Sequence, residues 1–195
     1  GKSMMARSIL QLVDLPGRIV DGQVLLHRSV PGDEQNGNAP RKAKNETVDI
    51  AKLKPNSAPL REIRGGEIAM IFQEPMTSFS MLYTIGEHMR RPVEIHLGLK
   101  KQAAREHAIE MLRRVSIPNP EQRVDSYPFQ LSGGLRQRAM IALALSCNPS
   151  LLIADEPTTA LDVTTQAQIL TLLKQLQADL GMTIMLITHD LGVVA

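Results

Sequence analysis

The chain predicts an α/β fold: a mostly parallel sheet with flanking helices, a small antiparallel β part and a helical subdomain. Three neighbouring segments carry the prediction. Leu151 to Ala154 is a short, uninterrupted apolar strand, and Thr183 to Thr188 is a second. Between them Val163 to Leu180 places Ile169, Leu172, Leu173, Leu176 and Leu180 on one helical face. Apolar strands joined through a long helix imply a parallel pair, buried on both faces and connected by a right-handed crossover.

The other elements follow in chain order. Ser3 to Val13 reads as a helix with Ile9, Leu12 and Val13 on one face, and Pro16-Gly17 ends it. Arg18 to His27 alternates around Gly22 and suggests strands of a small antiparallel sheet. From Ser29 to Ser57 apolar residues nearly vanish while Pro, Gly, Asn and Lys accumulate, so a variable surface loop is expected over 29–58. Glu67 to Phe72 is a buried strand. Gln102 to Val115 is the clearest helix of the middle region: Ala104, Ala108, Met111, Leu112 and Val115 form its stripe, and Glu110 precedes Arg114 by one turn. Arg136 to Leu145 is a further helix. Asp162 is placed to cap the long helix that follows, and Gly181 to close it.

At 195 residues the chain suits one domain with a real core. Its net charge of +2 is too small to predict a nucleic-acid or membrane surface, and the absence of Trp argues against a base-stacking platform. A single cysteine, Cys147, excludes an internal disulfide, fits a reducing compartment, and reads as a small buried residue. No stretch reaches the roughly 18 apolar residues of a membrane span, so service at a membrane would run through a partner.

Four short patterns carry chemistry. Gly1-Lys2-Ser3 leads directly into a helix, as does the end of a phosphate-binding loop, although three residues alone recur by chance. Asp155 and Glu156 end an apolar strand, where ligands of parallel sheets gather. There the first carboxylate suits Mg²⁺ and the second a water to be deprotonated, but an isolated pair could equally cap a helix. His189 ends the next strand and could reach a phosphate or serve structure alone. Ser132-Gly133-Gly134 opens a helix as either a second anion-binding start or a plain capped turn. Two phosphate-binding helix starts make sense together if two copies meet head to tail.

Taken in order, these residues resemble the nucleotide-binding domain of ABC transporters, a P-loop NTPase-type fold, over nearly the whole chain. The resemblance implies ATP and Mg²⁺ as cofactors. Gly1, Lys2 and Ser3 match the end of the Walker A loop, and Gln73 matches the Q-loop glutamine. Leu131 to Gly134 matches the family signature, Asp155 and Glu156 match Walker B and the catalytic base, Ala160-Leu161-Asp162 the D-loop, and His189 the switch histidine. Catalysis is thereby assigned to Glu156 and His189. Nucleotide contacts fall to Gly1, Lys2, Ser3, Gln73, Ser132, Gly133, Gly134, Asp155 and Asp162, and metal contacts to Ser3, Gln73 and Asp155. One position departs: Leu135 stands where the signature commonly carries Gln. An apolar residue there, the run from Phe72 to Gly86, Tyr127 to Gln130, and Ala142 to Ala167 resemble the dipeptide and oligopeptide importer branch, which also includes nickel and glutathione systems.

The resemblance implies a division into a nucleotide-binding core, 1–75 and 132–195, and a helical signature subdomain, 76–131. It implies a second ABC ATPase domain in a homo- or heterodimer, integral-membrane permease subunits, and indirectly a periplasmic or extracellular solute-binding protein. Nucleic acid is not an expected partner, and the location is the cytoplasmic face of the inner membrane. Gln73, with Phe79, Met81, Leu82 and Ile85, is expected to transmit closure to the permease; those four apolar residues could equally be subdomain core. The outermost motifs lie at the ends, so the chain is expected to be a domain cut on both sides, with ATP binding weakened by an incomplete Walker A loop. Two alternatives fit the motifs less well. An ABC ATPase acting on DNA would split its motifs with a coiled coil, whereas about sixty heptad-free residues separate Gln73 from Ser132; the ribosome type would carry two domains. A nonhydrolytic partner domain would lack the intact Glu156, His189 and Ser132.

Overall fold

The computed structural model describes residues 1–30, 44–73, 78–159 and 161–189. The chain divides into two compact units, Gly1–Leu60 and Arg61–Ala195.

In the first unit, helix α1 (Lys2–Ile9) starts at Gly1 and buries Ala6, with Leu10 buried beyond its end. It stops short of the expected Val13. Gln11 adopts a left-handed backbone, φ 51°, and its side-chain amide donates to the carbonyls of Ile50 and Leu53. A tertiary contact therefore ends the helix before Pro16 can. Strands β1 (Leu25–Val30) and β2 (Lys44–Asp49) form an antiparallel pair from Leu25↔Asp49 to Val30↔Lys44. Two expectations need correction. No strand lies between Arg18 and Val24, and the stretch read as loop contains β2 and a single 3₁₀ turn Ile50–Lys52 with Ile50 buried; helix α2 (Ala58–Glu62) begins where that stretch ends. Periodicity could not find β2 because its pairing is polar. Arg28 bridges Glu46 at 2.9 Å, and His27 meets Thr47 at 2.9 Å across the ladder.

The second unit holds a parallel sheet in the order β3-β4-β5, built from β3 (Ile68–Ile71), β4 (Leu151–Asp155) and β5 (Thr183–Ile187). Its register runs Ile68↔Leu151↔Thr183 to Ile71↔Ala154↔Leu186. Leu152, Ile153 and Ala154 of the middle strand are fully buried, which explains their unbroken apolar run. Between β3 and β4 lie α3 (Ile85–His96), α4 (Lys101–Arg114), the short α5 (Pro120–Arg123) and α6 (Gly133–Leu145); α7 (Val163–Leu180) crosses from β4 to β5. The predicted stripe Ala104, Ala108, Met111, Leu112 and Val115 is buried, as is the inner face of α7 from Ile169 to Leu176. All but Ala104 join β3, β4 and the middle of α6 in one core, while Ala104 clusters with Val93 and Cys147. Cys147 is buried too, and burial pushes its thiol pKa up. Among the described residues no helix is long and apolar enough to cross a membrane.

Helix α3 lies in the stretch expected to be a helical subdomain but is not among the individually predicted elements, and it holds Gly86 and Pro92. It is held at its start by a capping box: Glu87 accepts from the Thr84 backbone N–H at 2.9 Å while Thr84 Oγ1 accepts from the Glu87 N–H at 3.3 Å. Chiefly that Thr84 N–H, and then the Thr84 hydroxyl, hold the Glu87 carboxyl below its ordinary 4.5. A lowered carboxyl pKa contributes stability that is complete above 4.5 and lost as pH falls through the lower folded value. Glu87→Gln should therefore lower the melting temperature at neutral pH, with the gap to the parent closing under acid. A gap independent of pH would remove the ionised cap.

Candidate functional site

The site sits where β4 ends. Asp155 closes the strand and is 3% exposed. Glu156 follows in a left-handed conformation, φ 48°, its N–H donating to Ile187 O at 2.9 Å and extending the β4–β5 ladder by one residue. A non-glycine residue held there costs about 1–3 kcal/mol, and such strain persists only where neighbours over-determine it. The next residue is Pro157, which disfavours a helical Glu156, and Thr159 N–H closes the turn on Glu156 O at 3.2 Å.

Three side chains converge on the Glu156 carboxylate. Gln73, two residues beyond β3, donates its Nε2 to Oε2 at 2.9 Å; Thr159 Oγ1 donates to the same oxygen at 3.0 Å; His189 Nδ1 lies 2.9 Å from Oε1. An ionised carboxylate only accepts, so the histidine proton belongs on Nδ1. The His189 hydrogen bond is the chief reason the Glu156 carboxyl is held below its ordinary value; partial burial opposes it, and Thr159 and Gln73 reinforce it. The group is thus a preformed anion with oriented donors: the parallel register brings Gln73 and His189 to it, and its own turn supplies Thr159. Thr159 escaped the sequence reading, although a hydroxyl three residues after a carboxylate in a Pro-containing turn was a visible cue.

The second helix start is built in the same unit. Ser132 caps α6, its Oγ accepting from Leu135 N–H at 3.4 Å, and Ser132 and Gly133 are exposed. A Cβ at Gly134 would crowd the Thr165 methyl at 3.0 Å, and at Gly133 it would make ordinary contact with Leu161 at 3.7 Å. The Ser132–Gly134 turn therefore lies against the start of α7 rather than against Glu156. Asp162 caps α7, accepting from Thr165 N–H at 2.9 Å and Thr165 Oγ1 at 2.7 Å, and the backbone N–H chiefly lowers its pKa. Leu135, the departure from the common signature, is half-buried and packs against the main core, which an amide would do less well. Gly1, Lys2 and Ser3 belong to the first unit, at the start of α1, where Gly1 O accepts from Met5 N–H. Ala160 and Asp190 lie outside the described residues.

Of the four apolar residues after Gln73, Phe79 and Ile85 are core, Met81 is half-buried and Leu82 is 81% exposed. His88 ties that segment down: its Nε2 accepts from Ser80 N–H at 2.9 Å, its Nδ1 donates to Thr84 O at 2.8 Å, and its ring meets Phe79 edge-on at 5.1 Å.

The chain is similar to known proteins over its whole length. A Brucella melitensis protein named for peptide import and ATP binding is 47% identical over 195 residues, covering 100% of this chain and 53% of the relative. The glutathione import ATP-binding protein GsiA of Escherichia coli K12 is 44% identical over 197 residues, 100% of this chain and 29% of its own length. The chain thus spans about half the length, or less, of these relatives. Among solved structures, the ATP-binding cassette MJ0796, as a dimer in a post-hydrolysis state bound to ADP and Pi, matches with a TM-score of 0.64 and 32% identity over 78% of this chain and 66% of that one. The protein cbiO1 from Clostridium perfringens, part of the ABC transporter complex cbiONQ, matches with a TM-score of 0.61 and 28% identity over 78% of this chain and 59% of that one. The ABC transporter family model covers residues 1–159, and with the parallel sheet, the capped Ser132–Gly134 turn and the strand-end carboxylates the chain belongs to the ABC transporter family.

Proposed function

We propose that the protein is the ATP-hydrolysing subunit of an importer for peptides or similar small solutes. The observation that carries this is Glu156 held as an anion at the end of β4 by Gln73, Thr159 and His189. A positioned carboxylate of this kind can take the proton of an attacking water. His189, with its proton committed to Glu156, keeps Nε2 as an acceptor for the attacking water. Lys2 is assigned to the β- and γ-phosphates, and Ser132, Gly133 and Gly134 to the nucleotide of a second ABC ATPase domain, identical or related, so that closure follows ATP binding. Asp162 is assigned to the same dimer contact beside its capping role.

Mg²⁺ is assigned to Ser3, Gln73 and Asp155; within the second unit Asp155 ends β4 and Gln73 lies two residues beyond the neighbouring β3, a single carboxylate beside one amide oxygen. Mg²⁺ favours just such sparse protein ligation beside phosphates and water. When bound, it would offset charge on the transferring phosphoryl group. The rest of the reading concerns assembly. Residues 1–75 and 132–195 act as the nucleotide-binding core and 76–131 as the signature subdomain, with Gln73 and the exposed Leu82 signalling to permease subunits at the cytoplasmic face of the inner membrane. A solute-binding protein delivers the cargo on the other side, and nucleic acid has no part. The import-named relatives support the transport class.

The test uses the full-length protein. Ser132→Arg should cut MgATP turnover by a factor of about 100 or more by placing bulk and charge where the partner's phosphates sit, while binding of ATP to the monomer stays within a few-fold. Turnover unaffected by this substitution would sink the head-to-tail arrangement.

A further inference from the structure

Thr159 is not among the site residues expected from sequence, yet it makes one of the three side-chain contacts to the Glu156 carboxylate. The two donors to Oε2 differ in kind. Gln73 is exposed and reaches Glu156 across 83 positions of sequence, and its amide also has the Mg²⁺ duty proposed above. Thr159 is half-buried, three residues on, inside the turn that its own N–H closes on Glu156 O. It stays beside the carboxylate whatever Gln73 does. The terminal torsion of a glutamate is broad and two-fold, so the backbone at Glu156 does not by itself decide which oxygen faces the reaction. A β-branched side chain has few χ1 states, which makes the Thr159 hydroxyl a pre-oriented donor.

We propose that Thr159 is a positioning residue for the general base: its hydroxyl anchors Oε2 of Glu156 and thereby turns Oε1, paired with His189, toward the attacking water. No bond is made or broken at Thr159, and its proton remains on Oγ1. The assignment rests on the hydrolytic reading and adds to it a division of labour between the two carboxylate oxygens.

The experiment compares Thr159→Val, which keeps the shape and loses the donor, with Thr159→Ser, which keeps the donor, in the full-length protein. Thr159→Val should lower kcat for MgATP hydrolysis on the order of tenfold, the scale of one hydrogen bond to a charged group, with KM for ATP within about twofold. Thr159→Ser should recover most of that loss. Should Thr159→Val melt early, Thr159→Ala takes its place against Thr159→Ser, with the same hydroxyl-dependent split expected. Undiminished kcat in both hydroxyl-free variants overturns the proposal, as does equal impairment of Ser and Val. A protein whose turnover survives Glu156→Gln would instead overturn the hydrolytic reading, and this assignment with it.

Discussion

Glu156→Gln in the full-length protein is expected to lower MgATP turnover by at least about 100-fold and to leave ATP-bound dimers trapped, because removing a positioned general base costs that much or more. The geometry makes this substitution unusually clean. Gln keeps one oxygen, which can still accept from His189 Nδ1 or from the pair Gln73 and Thr159, so the turn should hold. What disappears is the charge and its basicity. Nucleotide affinity should therefore stay, and dimer closure should outlast the failed reaction. Turnover by purified protein and ATP-dependent size-exclusion mass are the two readouts. Retained turnover would take the role away from Glu156.

The second large effect is on stability. Ile141 is fully buried in the middle of α6, and α6 packs on both α4 and β3, joining the helical region to the sheet. Ile141→Ala should destabilise the protein by about 2–5 kcal/mol, through lost transfer energy and a cavity that two packed partners prevent from collapsing. Chemical denaturation with an unchanged m-value measures it. A loss under about 1 kcal/mol would mean that the site can collapse and that the coupling between α6 and the sheet is loose.

How far the site could be read from sequence depended on whether a residue acts through its local chain or through its neighbours. The strand-end acids, the Ser132–Gly134 turn and the capped helix from Asp162 to Gly181 are local devices. Asp162 indeed caps α7, and Gly181 closes it with a left-handed backbone. The Glu110–Arg114 spacing likewise produced an ion pair of 3.4 Å, and Arg113 added a shorter one at 2.6 Å. Elements whose reason is tertiary were missed or misplaced. β2 has almost no apolar residue and exists through its pairing with β1; α1 ends where Gln11 finds two carbonyls; α3 forms despite Gly86 and Pro92. For α3 a cue was present, since Thr84 and Glu87 have capping-box spacing ahead of the buried Ile85, Met89 and Val93.

The glycine at the start of α3 shows the same division. A Cβ on Gly86 would stand 2.6 Å from a Val124 methyl and 2.9 Å from its carbonyl oxygen, and Gly86 N–H donates to that oxygen at 2.7 Å. Nothing in the local pattern distinguishes this glycine from a helix breaker. Only the approach of Val124 does.

By itself the sequence determined the fold class, the order of motifs and the chemistry available at each, because strand length, helical period and capping are short-range properties of the chain. The tertiary structure alone decided which groups meet. A parallel sheet brings the ends of β3, β4 and β5 side by side, so Gln73, Glu156 and His189 converge from places 83 and 33 residues apart. The left-handed turn at Glu156 then admits Thr159 as a third donor. Such convergence depends on register and on distances of about 3 Å, which composition and spacing do not encode.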